Sequence, residues 1–370
     1  MRRNTIPRQL ARLLQLVILL LVYFLVKAAS KAPSIVETLY SQKLYPIIRG
    51  AVSSVTGMVP FSIAELIALL VLAIIVVLLV VRVIRLILVK KGSLVKLISL
   101  VISVALAAAY LVFAFYVMWG FNYFRQPIAQ KLDLPEREYT KEELSAVCFD
   151  LAEHASMLRE LVPTDDNGVF TGEFDQMREN IRAAYADFGA SRPSFKANVP
   201  LVKPLASSDM FTRGGTEGMF IFLTEEPCIN SSIPFLALPF ASAHETAHFM
   251  GYAREEDASF LAFLVLRDAA DPSAAYSGYM HALVNCAKAL AKADREEYER
   301  LVSTYSEGMK KDLAAYSEFY RPYADTKAWE ASNKLNDSYL KANQQEKGVL
   351  SYEEDVALIL RFYDSRRFFN

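Results

Sequence analysis

Apolar residues crowd into three blocks before residue 120 and are spread over helical faces after it. Leu97 to Trp119 contains no charged side chain, and Ile63 to Val81 contains one, Glu65, in its first turn. Roughly 20 residues of helix cross a hydrocarbon core, so both stretches read as membrane spans, over about 63–85 and 97–119. Ser62-x-x-Glu65 behind Pro60 reads as a capping box, which places the acid at a helix N-terminus. A shorter block, Leu10 to Val26, carries Arg12 and Gln15 and reads as a first span over about 10–28. Arg2, Arg3, Arg8 and Arg12 ahead of that run, with Ala28-Ala29-Ser30 behind it, also fit a signal peptide. By the positive-inside rule, the basic N-terminus and the loop with Arg82, Arg85, Lys90, Lys91 and Lys96 are cytoplasmic. The expectation is a multi-pass cell-membrane protein with the lipid bilayer as partner and everything after Gly120 extracytoplasmic.

Residues 121–370 have the length of one sizeable domain. Thr140-x-x-Glu143 is a second capping box, opening a helix to about Leu161. Helical periodicity runs from Phe174 to Phe188 with Gly189 as its stop, then over Asp294 to Tyr320 as one long helix, and over Tyr352 to Tyr363. Residues 193–212 read as loop with short extended pieces. The best strand is Met219, Phe220, Ile221, Phe222 and Leu223, bounded by Gly214-Gly215 and Glu225-Glu226-Pro227. The fold class is membrane-anchored and mainly α with a small β element. Composition narrows the function classes. Forty basic against 41 acidic residues give a net charge of −1, which removes the electrostatic footprint of a nucleic-acid binder. A hydrophobic share of 53% excludes a disordered chain. Cys148, Cys228 and Cys286 permit one disulfide at most and leave its pairing open.

One segment carries chemistry: His244-Glu245-Thr246-Ala247-His248. Residues four apart on a helix lie on one face, so His244 and His248 can aim two imidazoles at one point as zinc ligands. Glu245 lies beside them, placed to act on water rather than on the metal. This is the His-Glu-x-x-His arrangement of zinc metallopeptidases. Only four histidines occur in the chain, and the flanks from Phe235 to Ala243 and at Phe249-Met250 are apolar. A buried helix with two stacked histidines needs partners for them. Gly251 can close the helix in a left-handed C-cap, after which Glu255, Glu256 and Asp257 open a second helix. Acids in a first turn also favour the helix dipole, which accounts for one or two of the three. The third ligand is assigned to Glu255, because Glu255-x-x-Ala258-Ser259 resembles the Glu-x-x-Ala-Asp ligand helix of glutamate-type zinc peptidases. Ser259 replaces the usual Asp there, so Glu256 or Asp257 is the alternative second-shell carboxylate. Candidate oxyanion donors are Tyr352, Tyr339, His281 and Arg254, and the strand from Met219 to Leu223 is the candidate edge for a peptide or protein substrate.

At these residues the chain also resembles a family of bacterial membrane proteins catalogued as domain of unknown function 3810. The resemblance rests on Trp119-Gly120-Phe121-Asn122-Tyr123-Phe124-Arg125, Cys228-Ile229-Asn230, Leu238-Pro239-Phe240, the tail from Asn336 to Gln344, Gly348-Val349 and Ser351-Tyr352. It implies a zincin-like α+β domain behind three membrane helices and, through the His-Glu-x-x-His motif, a zinc metallopeptidase. The alternative is a zinc-binding extracytoplasmic module that senses or scaffolds without cleaving.

Overall fold

In the computed structural model, residues 24–88, 93–343, 345 and 354–369 are described, together with the single positions 15, 17, 19 and 21. The architecture is mostly helical with one small mixed sheet. Helix α1 spans Tyr45–Thr56, α2 Ile63–Leu88 and α3 Ser93–Met118, followed by α4 Lys141–Arg159, α5 Phe174–Ser191 and α6 Leu238–Phe249. Then come α7 Glu255–Arg267, α8 Pro272–Ala293, α9 Arg295–Ser303, α10 Glu307–Tyr320, α11 Lys327–Ala342 and α12 Asp355–Ser365. Strands β1 Lys203–Pro204, β2 Gly218–Ile221 and β3 Glu226–Ile229 lie in the order β1-β3-β2, with β1 parallel and β2 antiparallel to β3.

Helix α4 begins as its sequence demands. Thr140 accepts from the Glu143 N–H, and the Glu143 carboxylate accepts from the Thr140 N–H. Three other elements differ from expectation. Gly189 lies inside α5, where the absence of a side chain lets Lys196 approach; a Cβ there would come within 2.9 Å of the Lys196 Cα. The long helix expected over Asp294 to Tyr320 is two, because Ser306 starts α10 by accepting from the Met309 N–H. Glu226-Pro227, read as a turn, begins the central strand. Pro227 stands opposite Phe220, whose outward N–H needs no partner from β3, so proline costs the ladder nothing there. Phe222 and Leu223 fall in the four-residue turn after β2, and Glu225 closes that turn at φ +51°.

One helix among the described residues, Ile63–Val81 within α2, is long and apolar enough to cross a membrane, and none of it is buried. That is fewer than the three spans expected. Most of the first stretch lies outside the described residues. The third falls within α3, whose described apolar part, Leu106–Met118, is too short for the same criterion. The capping box at the start of α2 is half kept. Ser62 accepts from the Glu65 N–H, but the Glu65 carboxylate instead takes the N–H groups of Ala206 and Ser207, at 2.8 and 3.0 Å. Glu226 supplies the missing cap, accepting from the N–H groups of Ile63 and Ala64.

The sequence reading gives residues 33–56 no element, yet they are helical throughout, π-helical over Val36–Leu44 and α-helical in α1. Their inner face carries Val36, Tyr40 and Tyr45 into a small core with Trp119, Tyr123, Phe124 and Ala253. Glu37 is buried there against Arg125 at 2.8 Å. The outer face leaves Ile35, Leu39, Ile47 and Val55 exposed. Contacts therefore cross the division expected at residue 120. The main core lies beyond it, between α4, α6, α7 and α8.

Candidate metal centre

Helix α6 is buried on nearly all sides, with Phe240, Ala241, Ala243, Ala247 and Phe249 packed into the main core. The last carbonyls of a helix have no intrahelical donor, so a buried C-terminus needs donors from elsewhere. Here the N-terminal part of the chain provides them. The Trp119 indole N–H donates to the His248 carbonyl at 3.0 Å, and the Tyr45 hydroxyl and Arg49 donate to that of Phe249 at 2.7 and 3.3 Å. Arg125 donates to the Gly251 carbonyl at 2.9 Å. The two arginines among these donors also suit the negative end of the helix dipole. Gly251 turns the chain at φ +86°, as its sequence position predicts, and a Cβ there would press on Asn122 and Tyr45. Tyr45 has one proton and two acceptors, the Phe249 carbonyl and the Glu225 carboxyl at 2.8 Å. Burial pushes the Glu225 acid up to about 8, so it stays protonated near neutrality and donates to the tyrosine oxygen while Tyr45 donates onward.

The turn at Gly251 brings the start of α7 back against α6. One Glu255 carboxylate oxygen then lies 3.1 Å from the His244 Nε2 and 3.4 Å from the His248 Nε2. The two imidazoles stand at 89° with centroids 4.6 Å apart. One ligand atom from each of the three residues lies within 4.8 Å of the other two. A tetrahedral zinc site with bonds of about 2.0–2.1 Å has ligand–ligand edges of about 3.3–3.4 Å, which the two measured separations bracket. The far nitrogens are held as well. His248 Nδ1 lies 2.7 Å from the Tyr252 carbonyl, to which it donates, and His244 Nδ1 lies 3.2 Å from the Ser259 hydroxyl. A carboxylate only accepts, so in the metal-free cluster the Nε2 atoms donate to Glu255 and the Ser259 hydroxyl donates to His244 Nδ1; a metal would take the place of those Nε2 protons.

The charge balance of this cluster is unusual. Burial lowers the His248 pKa, but the Glu255 charge, its hydrogen bond and Glu245 outweigh that and carry it up to about 9. Burial and the neighbouring His248 push His244 the other way, below the ordinary histidine value. Burial raises the Glu255 carboxyl, yet the two imidazoles hold it well below the carboxylate range. Glu245 is driven up to about 8 by burial and by Glu255 and Glu217, against the pull of His248 and the Phe220 N–H. A carboxyl with that value is suited to exchanging protons near neutral pH.

Beside the cluster a cavity of about 460 Å³ is lined by His244, Glu245 and Ser259 on one wall and by Met280, His281 and Asn285 of α8 on another. Strand β2 runs along it. The Asn230 N–H donates to the Glu217 carbonyl, so by alternation Gly218 and Phe220 turn their polar groups to the free edge. A Cβ on Gly218 would lie 2.7 Å from the Glu245 Cγ and Oε1, which makes glycine necessary at that contact.

The other candidates separate. Ser259 meets His244, whereas Glu256 accepts from Gln345 and Asp257 from the Ile128 N–H, facing Arg254. Arg254 donates to the Arg125 carbonyl and is directed away from the cluster. His281 lines the cavity, stacked on Phe240 with centroids 3.4 Å apart. Tyr339 lies within the electrostatic reach of Glu255 and accepts from the Tyr123 hydroxyl at 3.1 Å. Tyr352 lies outside the described residues. The three cysteines are free and buried. Sequence reasoning missed Glu217, Tyr316, Tyr320 and Trp329 in the cavity wall; the glycine pair at 214–215 was the available signal, because it marks a place where another group comes close.

Fold and site together define a mostly helical protein in which a three-donor cluster sits between a buried helix and a small mixed sheet. The chain belongs to the family described as protein of unknown function (DUF3810), which matches residues 40–360. No curated protein and no solved structure matches it.

Proposed function

We propose that the protein is a membrane-anchored zinc metallopeptidase of zincin-like design, acting on peptides or proteins outside the cytoplasm. The observation that carries this reading is the convergence of His244, His248 and Glu255 on one point, with Glu245 beside it in the wall of a cavity. Once their Nε2 protons are displaced, the two imidazoles offer lone pairs to that point beside the Glu255 carboxylate, and the separations of 3.1 and 3.4 Å suit zinc. Zinc in such a site supplies a Lewis acid and makes water more acidic. Glu245 takes a proton from the attacking water and returns it to the leaving amine. The free edge of β2 holds an extended peptide by strand addition, and His281 or Tyr339 donates to the carbonyl oxygen as charge builds there. The three-span topology belongs to the same reading. It places residues 33–56 and the C-terminal region on one side of the bilayer, in keeping with their shared core.

The test uses the full chain in detergent, because Tyr45, Arg49 and Trp119 are needed to complete α6. Wild type is expected to hold about one zinc per chain and to cleave peptides in a mixed library. Glu245→Gln is expected to keep the metal and lose cleavage by at least about 100-fold. Zinc binding without cleavage of any peptide would favour the sensor or scaffold alternative; a folded wild type that binds no zinc would remove both.

A further inference from the structure

Three buried acids of the protein lie against a Lys or Arg: Glu37 against Arg125, Glu226 against Lys203 and Asp312 against Arg159. Glu217 differs. It is half-buried in the wall of the 460 Å³ cavity, and no Lys or Arg among the described residues forms an ion pair with it. Its Oε1 accepts from the Tyr316 hydroxyl at 2.7 Å and from that of Tyr320 at 3.4 Å. Two neutral donors on one oxygen fix the carboxylate without neutralising it, and Oε2 has no hydrogen-bond partner among the described residues.

The surroundings are aromatic. Tyr316 and Tyr320 meet edge to face at 5.0 Å, and Tyr320 meets Trp329 at 5.8 Å. Gly215, at φ +68°, lets the Trp329 ring close on this corner, since a Cβ there would lie 2.5 Å from it. A carboxylate ringed by two tyrosines and a tryptophan combines the two features that hold an organic cation, a counter-charge and electron-rich faces.

We propose that Glu217, Tyr316, Tyr320 and Trp329 form a subsite for a cationic group of the substrate, an ammonium or guanidinium. As a statement about substrate class, this rests on the peptidase reading above. Glu217 directly precedes Gly218, which packs against Glu245, and all three line one cavity, so the cation belongs to the part of the substrate near the bond cut. It is either the free N-terminus of a peptide or the basic side chain of a nearby residue. Lys288 also lines the cavity but forms no ion pair with Glu217 among the described residues.

The test is direct binding to the full-length, metal-free chain, read by isothermal titration calorimetry, so that it depends neither on turnover nor on the tryptophan that one variant removes. Three short probes of equal length are compared: a neutral peptide with a free N-terminus, the same peptide acetylated, and an acetylated peptide carrying one lysine. At least one cationic probe is expected to bind about tenfold more tightly than the neutral acetylated one. Which one does so distinguishes an N-terminal from a side-chain cation. In Glu217→Gln that preference should fall below about twofold while the neutral probe binds as before. Trp329→Leu should weaken it independently, which guards against a folding defect in the first variant. Equal binding of all three probes to wild type, or a preference that survives Glu217→Gln, would overturn the subsite. Retention of the preference in a zinc-loaded chain that cleaves nothing would instead overturn the peptidase reading alone.

Discussion

Asp312 and Glu255 are both buried acids on helices, and they are met in opposite ways. Asp312 is surrounded by donors: Arg159 through two nitrogens at 2.6 and 3.3 Å, the Phe170 N–H at 2.7 Å and the Tyr276 hydroxyl at 2.7 Å. Glu255 faces the Nε2 atoms of two imidazoles whose outer nitrogens are held by the Tyr252 carbonyl and the Ser259 hydroxyl. The first arrangement is complete in itself and joins α4, α8 and α10. The second is completed only by a cation, whether a proton or a metal ion. The contrast separates buried charge that holds a fold together from buried charge arranged for chemistry.

Breaking the complete arrangement should have the largest effect on folding. Asp312→Ala strands Arg159 in the interior and should lower the unfolding free energy by about 3–5 kcal/mol in a denaturant melt, with or without zinc. The cluster should respond to metal instead. At free zinc 100-fold above its Kd, wild type should gain about 2.7 kcal/mol of stability and Glu255→Gln much less. Ser259→Ala removes the partner of His244 Nδ1 without touching a ligand atom, and should weaken zinc binding by about 10- to 100-fold in a competition assay. The smallest effect is the pH slope. With its pKa near 9, His248 carries a proton at neutral pH that zinc must displace. Zinc affinity should therefore rise by about tenfold per unit from pH 7 towards 9 and level off above it, with about one proton released per zinc at pH 7 in calorimetry across buffers. A flat profile would mean that His248 is already neutral in the metal-free protein.

The convergence of His244, His248 and Glu255 was legible because it is local: residues 244 to 255 contain both helix faces and the glycine that folds one onto the other. The mainly helical class and the first turn of α4 were legible for the same local reason. What surrounds the cluster was not. Glu226-Pro227 has the composition of a turn, and only its pairing with β2 and its cap on α2 make it a strand. Residues 33–56 carry no element in the sequence reading, because the acid they bury, Glu37, finds its partner 88 positions away in Arg125. The second-shell partner of His244 was legible only as a departure from a pattern, and it took geometry to show a hydroxyl at the place where a carboxylate is usual.

The donors that close the end of α6 bear on the order in which the protein is made. Tyr45 precedes Phe249, the residue whose carbonyl it binds, by 204 positions. At 5–20 residues per second, roughly 10 to 40 s of synthesis separate the two. Throughout that interval Tyr45 lacks the carbonyl it binds, and the histidine helix, once made, must dock on a surface already delivered. The three-donor cluster thus depends on a long-range closure, with the slow folding that such contacts bring.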